Sequence, residues 1–170
     1  MTRYYGVVSY FQLRDIARAV CNVIGFGANH NADVMLLKTC AAETNFGTFK
    51  DPTPDGAGRG VAQVDEGTFL WLRGKYGSHK LGELIRQAFD VDIRRVNHDD
   101  LDYNPLLCCI FARLKYWTIT EPIPTDEYEQ AEYWKEHYNS AAGGGSPEHF
   151  VKQVKTHLET IDAYRADYAA

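Results

Sequence analysis

No stretch of the chain approaches the roughly 20 consecutive apolar residues that a membrane-spanning helix needs. The first residues also lack the long apolar run of a secretory signal peptide. The formal net charge is −5, so there is no excess of positive charge to attract nucleic acid or anionic lipid. We therefore expect no nucleic-acid partner, no stable insertion into a membrane, and synthesis in the cytoplasm.

Motifs of several hydrolase and metal-site classes are missing as well. There is no Gly-x-Ser-x-Gly, no His-Glu-x-x-His, and no Cys-x-x-Cys or Cys/His ligand spacing. The four cysteines are Cys21, Cys40, Cys108 and Cys109. Three of them lie in apolar helical patterns, which indicates buried free thiols in a reducing compartment, with a structural disulfide as the lesser alternative. A serine, cysteine or zinc hydrolase is not expected, and neither is a metal or a cofactor.

Internal repeats and interdomain linkers are also absent. The chain has 170 residues, the length of one domain with a sizeable core, and its 45% hydrophobic and 24% charged residues are typical of a globular protein. The glycine run at 143–145 leaves too few residues behind it to fold alone. Residues 1–170 are therefore predicted to form a single domain.

Apolar residues recur at helical spacing through most of the sequence. A first amphipathic helix, from about Leu13 to Ile24, is predicted to end near Gly25. The next is the most apolar segment of the first half, so we expect it to be the central buried helix, with Glu43 at its C-terminal end. Six further helices are predicted from residues that can cap or start a helix. These residues are Asn31 or Asp33, Glu66 or Thr68, Ser78, Asn104-Pro105, Thr125 and Ser146-Pro147.

A segment rich in glycine and proline follows the Glu43 helix. From Thr48 to Gly60 these residues exclude a continuing helix, and short strands with tight turns fit better, as a small hairpin flap. The tetrad Val61 to Val64 is too short to classify by periodicity. The predicted fold class is mainly α (α+β), a helical core with a small β-hairpin or loop flap after Glu43.

Glu43 is the candidate for acid chemistry. The C-terminus of a helix carries partial negative charge, which disfavours a carboxylate there. Apolar neighbours such as Phe46 would disfavour it further by removing water. Both effects raise the pKa of a glutamate and help to keep it protonated near neutral pH, as a general acid must be. The alternative is an exposed glutamate at a frayed helix end, which is the commoner case for one glutamate taken alone.

The stretch ETNFG at 43–47, followed by GRGVAQVD at 58–65, resembles goose-type lysozymes and lytic transglycosylases. That family has a catalytic glutamate near a helix end, a glycine-rich turn and then Gly-Leu-Met-Gln; here Gly60 to Gln63 carries smaller side chains. Asn104-Pro105 resembles the family's Asn-Ile helix start, and HYNSAAG at 137–143 resembles its Tyr-Asn-Ala-Gly motif with extra residues before the glycine. The resemblance spans about 34–145, and it marks 34–65 as the catalytic stretch, with 66–170 as the helical remainder of a lysozyme-like domain.

The resemblance implies cleavage of the β-1,4 bond between N-acetylmuramic acid and N-acetylglucosamine in peptidoglycan, with Glu43 protonating the leaving oxygen. Hydrolysis needs a second carboxylate to activate water. Asp65 matches the goose-type acid after Gln-Val, and Asp55 or Asp51 falls where that branch has another. A lytic transglycosylase needs none, because the muramoyl 6-hydroxyl attacks and leaves a 1,6-anhydro end. Asp65 favours hydrolysis, which we take as the first expectation, whereas the Tyr138-Asn139 match favours transglycosylation.

The resemblance also suggests substrate-binding residues, namely Gln63, Gly60, Tyr138 and Asn139. Gln63 would orient a sugar N-acetyl group or the backbone of the flap. Each of the weaker candidates has an ordinary structural alternative: Asp55 as a turn former, Asp65 as a helix cap and Tyr138 as a core phenol.

Two rival functions remain open at this point. An endolysin built like a family-19 chitinase also has a Glu-Thr pair after an alanine-rich helix, and would keep Glu43 as the acid. A non-catalytic wall-binding or virion structural module would keep the fold, although such a protein would often have lost Glu43. The family likeness suggests a bacteriophage enzyme that acts on the cell wall or periplasm, reached through a holin pore or as a virion component. The expected partners are glycan strands and, in the virion case, virion proteins.

Overall fold

Helices account for most of the chain in the computed structural model, which describes residues 2–52, 56–139 and 143–156. The elements are α1 (Tyr10–Ile24), α2 (Ala32–Thr44), β1 (Gly58–Arg59), β2 (Val64–Asp65), α3 (Glu66–Tyr76), α4 (Lys80–Phe89), α5 (Pro105–Trp117) and α6 (Glu127–Trp134). Short 3₁₀ turns lie at Ile93–Arg95 and His98–Asp102, a π-helical turn at Lys135–Asn139, and residues 147–156 are helical. The prediction of a mainly helical chain with a small β-containing element is confirmed.

Helix α5 is the centre of the packing. Asn104 caps it, because its Oδ1 accepts hydrogen bonds from the backbone N–H groups of Leu106 at 3.0 Å and Leu107 at 3.2 Å. Its side chains are apolar almost all round, and α1, α2, α3, β2 and the π-helical turn pack against it. Helix α2 is as buried as predicted, but it shares the central position with α5.

The two strands form an antiparallel hairpin, in which Gly58 pairs with Asp65 and Arg59 with Val64. Strands were predicted between Thr48 and Gly60, and β1 lies at the end of that segment. The second strand lies beyond it, because Gly60 to Gln63 forms the turn. The Thr44 Oγ1 donates a hydrogen bond to the Val61 carbonyl at 2.6 Å, which fastens this turn to the end of α2. The hairpin is therefore held directly beside Glu43.

Two predicted helix caps are wrong by one residue. His79, not Ser78, caps α4, since its Nδ1 accepts from the Leu81 N–H at 3.1 Å. Asp126, not Thr125, caps α6. In both places the side chain one position later reaches the free N–H groups of the first turn.

The buried apolar side chains of the described residues form one cluster. All four cysteines are buried free thiols, which confirms that prediction. None of the helices in the described ranges is both long and apolar enough to cross a membrane.

Candidate active site

Glu43 lies in the last turn of α2, next to an abrupt helix end. The three residues Asn45, Phe46 and Gly47 all adopt left-handed backbone conformations, with φ of 52°, 54° and 78°. The N–H of Asn45 bonds to the Ala41 carbonyl, and that of Phe46 to the Cys40 carbonyl, so the chain turns sharply away from the helix axis. This end leaves the Glu43 side chain between the helical body and the hairpin.

The partners of the Glu43 carboxyl group come from the far end of the chain. Trp134 Nε1 donates a hydrogen bond to Glu43 Oε1 at 3.1 Å, and the Asn139 side chain also bonds to this carboxyl group. Trp134 is buried and packs against Phe150, with ring centroids 5.4 Å apart. Helix α6, the π-helical turn and the helical segment at 147–156 thus enclose the carboxyl group.

Burial raises the pKa of Glu43 to about 7. The hydrogen bond from Trp134, the positive charge of Lys115 and the bond from Asn139 each act to lower it, and removal from water outweighs them. The elevation expected from the sequence is therefore present. Its main source is the removal of Glu43 from water, and Phe46 packs edge-to-face on Tyr10 with ring centroids 5.3 Å apart. A glutamate with this pKa is partly protonated at neutral pH and can act as a general acid.

Asp65 is the N-cap of α3, which was the structural alternative given for this residue from the sequence. Its Oδ1 accepts from the Thr68 N–H at 2.9 Å and its Oδ2 from the Thr68 hydroxyl at 2.6 Å, with Lys115 Nζ 3.9 Å from Oδ2. Partial burial acts to raise the pKa of Asp65, but the Thr68 bonds and the Lys115 charge hold it below its usual value. Asp65 is thus ionised at neutral pH, and its role as a second catalytic carboxylate stays a prediction.

The other two aspartates named from the sequence give less information. Asp55 lies outside the residues that the structure describes. Asp51 donates its backbone N–H to the Tyr5 hydroxyl at 3.1 Å and lines a cavity on the outer side of β1.

Tyr138 and Asn139 lie on the π-helical turn and have different roles. Tyr138 is buried, its hydroxyl donates to the Ala62 carbonyl at 2.8 Å, and its ring stacks on Tyr116 with centroids 5.1 Å apart. Burial holds the pKa of Tyr138 well above its usual value, so it is a neutral phenol that ties the hairpin turn to the helical body. Asn139 Oδ1 accepts from Lys135 Nζ at 2.9 Å, which leaves the amide N–H groups available to donate to Glu43.

Gln63 and Gly60 shape the hairpin turn. Gln63 has a φ of 49°, and its Nε2 donates to the Gly60 carbonyl at 2.9 Å, so its side chain holds the flap backbone. Gly60 has a φ of 76°, and a Cβ there would lie 2.6 Å from both Cys108 Sγ and the Leu101 carbonyl oxygen. These contacts explain the glycine structurally, and contact of either residue with a sugar stays a prediction.

Sequence reasoning missed two residues of the site. Trp134 lies in a helical pattern, and nothing in its sequence context separates it from a core tryptophan. Lys115 lies in the mostly apolar helix α5, and a lysine there was a usable signal. Its side chain is 15% exposed, and its Nζ donates to the Tyr138 carbonyl at 2.6 Å.

A cavity of about 600 Å³ in the described part of the chain does not include Glu43 in its lining. Its walls include Tyr5, Lys50, Arg59, Asp102 and Tyr103. Arg59 is engaged there with Asp102 at 3.2 Å and Asp99 at 3.3 Å. Glu43 remains the candidate for acid chemistry because its carboxyl group has the raised pKa that a general acid needs.

The raised pKa of Glu43 predicts a pH-dependent stability difference between wild type and Glu43→Gln. The pKa of Glu43 is 4.5 in the unfolded chain and about 7 in the folded chain, so between these pH values the unfolded chain loses its proton first. The stability that protonated Glu43 gives the folded chain is therefore lost as the pH rises through this range. Glutamine does not ionise. We expect the variant to be more stable at pH 8, by roughly 3 kcal/mol at most, and equal to wild type near pH 4. Urea unfolding at both pH values measures this; a constant difference would contradict the burial of Glu43.

The arrangement is a half-buried carboxylic acid with two hydrogen-bond donors, on which the charge of Lys115 acts, and Lys115 Nζ lies 3.9 Å from the ionised Asp65. It can deliver a proton and then hold the resulting anion. No group of three or more His, Cys, Asp or Glu side chains in the described part of the chain is placed to hold a metal ion. Comparisons of the chain with models of protein families, with curated proteins and with solved structures find no match.

Proposed function

We propose that this chain is a peptidoglycan glycosidase with a lysozyme-like fold, cleaving the β-1,4 bond between N-acetylmuramic acid and N-acetylglucosamine. The observation that carries the proposal is Glu43, whose pKa burial raises to about 7 at a helix end beside a hairpin. A glycosidic oxygen is a poor leaving group until it is protonated, and a carboxylic acid with this pKa supplies the proton near neutral pH.

The neighbours of Glu43 suit the proton transfer. The Trp134 N–H and the Asn139 side chain bond to the carboxyl group and fix its orientation. The same two donors stabilise the carboxylate that forms when the proton has left. Cleavage of the bond leaves positive charge on the sugar carbon. The oxygen of water or of the muramoyl 6-hydroxyl then bonds to this carbon and loses its proton.

Hydrolysis is the reaction we propose first. Asp65 is ionised and lies on the strand next to the Glu43 helix end, within 3.9 Å of the lysine whose charge also acts on Glu43. It would serve as the carboxylate that activates water, with Asp55 as the other candidate.

Transglycosylation is the second candidate, and one observation favours it. Both Asp65 oxygens accept hydrogen bonds from Thr68, so this carboxylate already caps α3. If it cannot activate water, the muramoyl 6-hydroxyl becomes the attacking group. An endolysin of the chitinase type would keep Glu43 and change the saccharide, and a non-catalytic module would keep only the fold. A phage origin, with holin release or a place in the virion, belongs to the proposal through the sequence resemblance.

Mass spectrometry of fragments released from purified peptidoglycan tests the proposal. We expect soluble muropeptides with a reducing muramic acid end, which would establish hydrolysis and make Asp55 and Asp65 the next positions to mutate. A 1,6-anhydro end would establish transglycosylation instead. Release of no fragments from several wall types would overturn the proposed activity and favour a binding module.

A further inference from the structure

We propose that Lys115 is a positioning residue that sets the charge state of Glu43, by joining Glu43, Asp65 and the turn that carries Asn139 into one electrostatic unit. Its consequence for catalysis rests on the proposed function. Its physical basis is a lysine side chain that is 15% exposed and projects from the apolar helix α5 towards both acids.

The contacts of Lys115 are of three kinds. Its Nζ donates to the Tyr138 carbonyl at 2.6 Å, lies 4.4 Å from the centroid of the Tyr138 ring, and lies 3.9 Å from Asp65 Oδ2. A partly buried ammonium group is costly unless such partners replace water. Removal from water acts to lower the pKa of Lys115, and the charges of Asp65 and Glu43 act to raise it. The lysine is thus kept in this position by the acids and by the π-helical turn.

The charges of the three groups balance only when Glu43 is protonated. Lys115 then neutralises Asp65, and the unit has no net charge. Ionisation of Glu43 adds a second negative charge that Lys115 must serve, because the charge of Lys115 acts on both acids. Lys115 therefore limits how strongly burial disfavours the Glu43 carboxylate, and stabilises that carboxylate once the proton has been delivered. Without the charge of Asp65, Lys115 would act on Glu43 alone and favour its carboxylate more strongly.

Lys115 also holds the geometry of the site. Its Nζ donates to the carbonyl of Tyr138, the residue directly before Asn139, and so holds this turn in place. The Asn139 side chain on the same turn bonds to Glu43. One side chain thus supports both the charge and the orientation of the acid.

Other titratable groups lie around Glu43. They are Cys40 on α2, Cys108 and Tyr116 on α5, Tyr138 on the π-helical turn, and His149, whose Nε2 lies 2.9 Å from the Ala42 carbonyl. Burial holds the pKa values of Cys108, Tyr116 and Tyr138 well above their usual ranges, so these three stay neutral near pH 7. Lys135 Nζ donates to Asn139 Oδ1 at 2.9 Å.

The test is a titration of the Glu43 carboxyl carbon by ¹³C NMR in the full chain without substrate, with the signal assigned from Glu43→Gln. In Lys115→Met we expect the midpoint to move up by about half a pH unit or more, and in Lys115→Arg to stay near wild type. In Asp65→Asn, which keeps a capping side chain for α3, we expect the midpoint to move down. Should Lys115→Met fail to fold, Asp65→Asn still tests the coupling. An unchanged midpoint in the charge-removing variants that fold, or a shift against the stated direction, overturns the proposal.

Activity profiles separate this inference from the proposed function. If walls are cleaved, the alkaline limit of the rate follows the NMR midpoint in the Lys115 variants, whereas a purely structural role for Lys115 would lower the rate without moving that limit. If the Glu43 titration midpoints move as stated but neither wild type nor any variant cleaves walls, the inference stands and the glycosidase proposal fails. If wild type cleaves walls while the midpoints stay fixed, only the inference fails.

Discussion

Replacing Glu43 by glutamine is expected to lower the rate of the proposed wall cleavage by about a thousandfold, because general acid catalysis contributes about 10² to 10⁴ and the amide cannot act as the acid. Glutamine has nearly the same shape, and its amide oxygen can still accept the Trp134 N–H bond seen at 3.1 Å. The fold should therefore persist. The rate is measured as release of soluble muropeptides from purified peptidoglycan at pH 6, where wild-type Glu43 is mostly protonated.

Glu136→Gln is the matched control for this loss. The substitution makes the same chemical change on the π-helical turn. The Glu136 side chain is 76% exposed, and its Oε2 lies 3.9 Å from His137 Nε2. We expect a rate within about twofold of wild type, because a solvated carboxylate of this kind contributes little. A Glu43→Gln protein that keeps more than a tenth of the wild-type rate would remove Glu43 from the mechanism.

Replacing Gly60 by alanine is expected to give the largest loss of stability, about 2–4 kcal/mol of unfolding free energy. The residue has a φ of 76°, which strains any residue with a Cβ, and the new methyl group would lie 2.6 Å from Cys108 Sγ and from the Leu101 carbonyl oxygen. The Gly60 N–H also donates to Asp102 Oδ1 at 2.8 Å, so the turn cannot move away without losing this bond. Urea unfolding at a fixed pH measures the loss.

Gly74→Ala is the control for that measurement. This glycine lies inside α3, and a Cβ there meets no heavy atom within 4 Å. Alanine is the better helix former by about 1 kcal/mol, so the same substitution should stabilise the chain slightly. Equal effects at the two positions would show that the hairpin turn is not packed against α5 as described.

The helices could be predicted from the sequence because each carries its own signal. Apolar spacing marked α1 and α2, and the cap and proline of Asn104-Pro105 marked the first turn of α5. The second strand of the hairpin was not predicted, because two-residue strands are too short to show an alternation. Its position is decided instead by tertiary contacts, such as the Thr44 hydroxyl on the Val61 carbonyl.

The site was predictable only in part, for a similar reason. Glu43 was predicted to be an acid from its place at a helix end before a glycine-rich turn, together with the family resemblance, since an exposed glutamate is the commoner case for one residue taken alone. Its partner Trp134 lies 91 residues away, and no local pattern connects the two. Asp65 could be read as a cap or as an acid, and the Thr68 bonds establish the cap.

The long separation between Glu43 and its partners has a consequence for the chain as it is being synthesised. When α2 has left the ribosome, neither Trp134 nor His149, which lies 107 residues beyond Ala42, has been made. Glu43 then faces water, and its pKa should be that of an ordinary glutamate. The acid acquires its properties only when α6 and the helical segment at 147–156 close over it, so growing and truncated chains are expected to be inert.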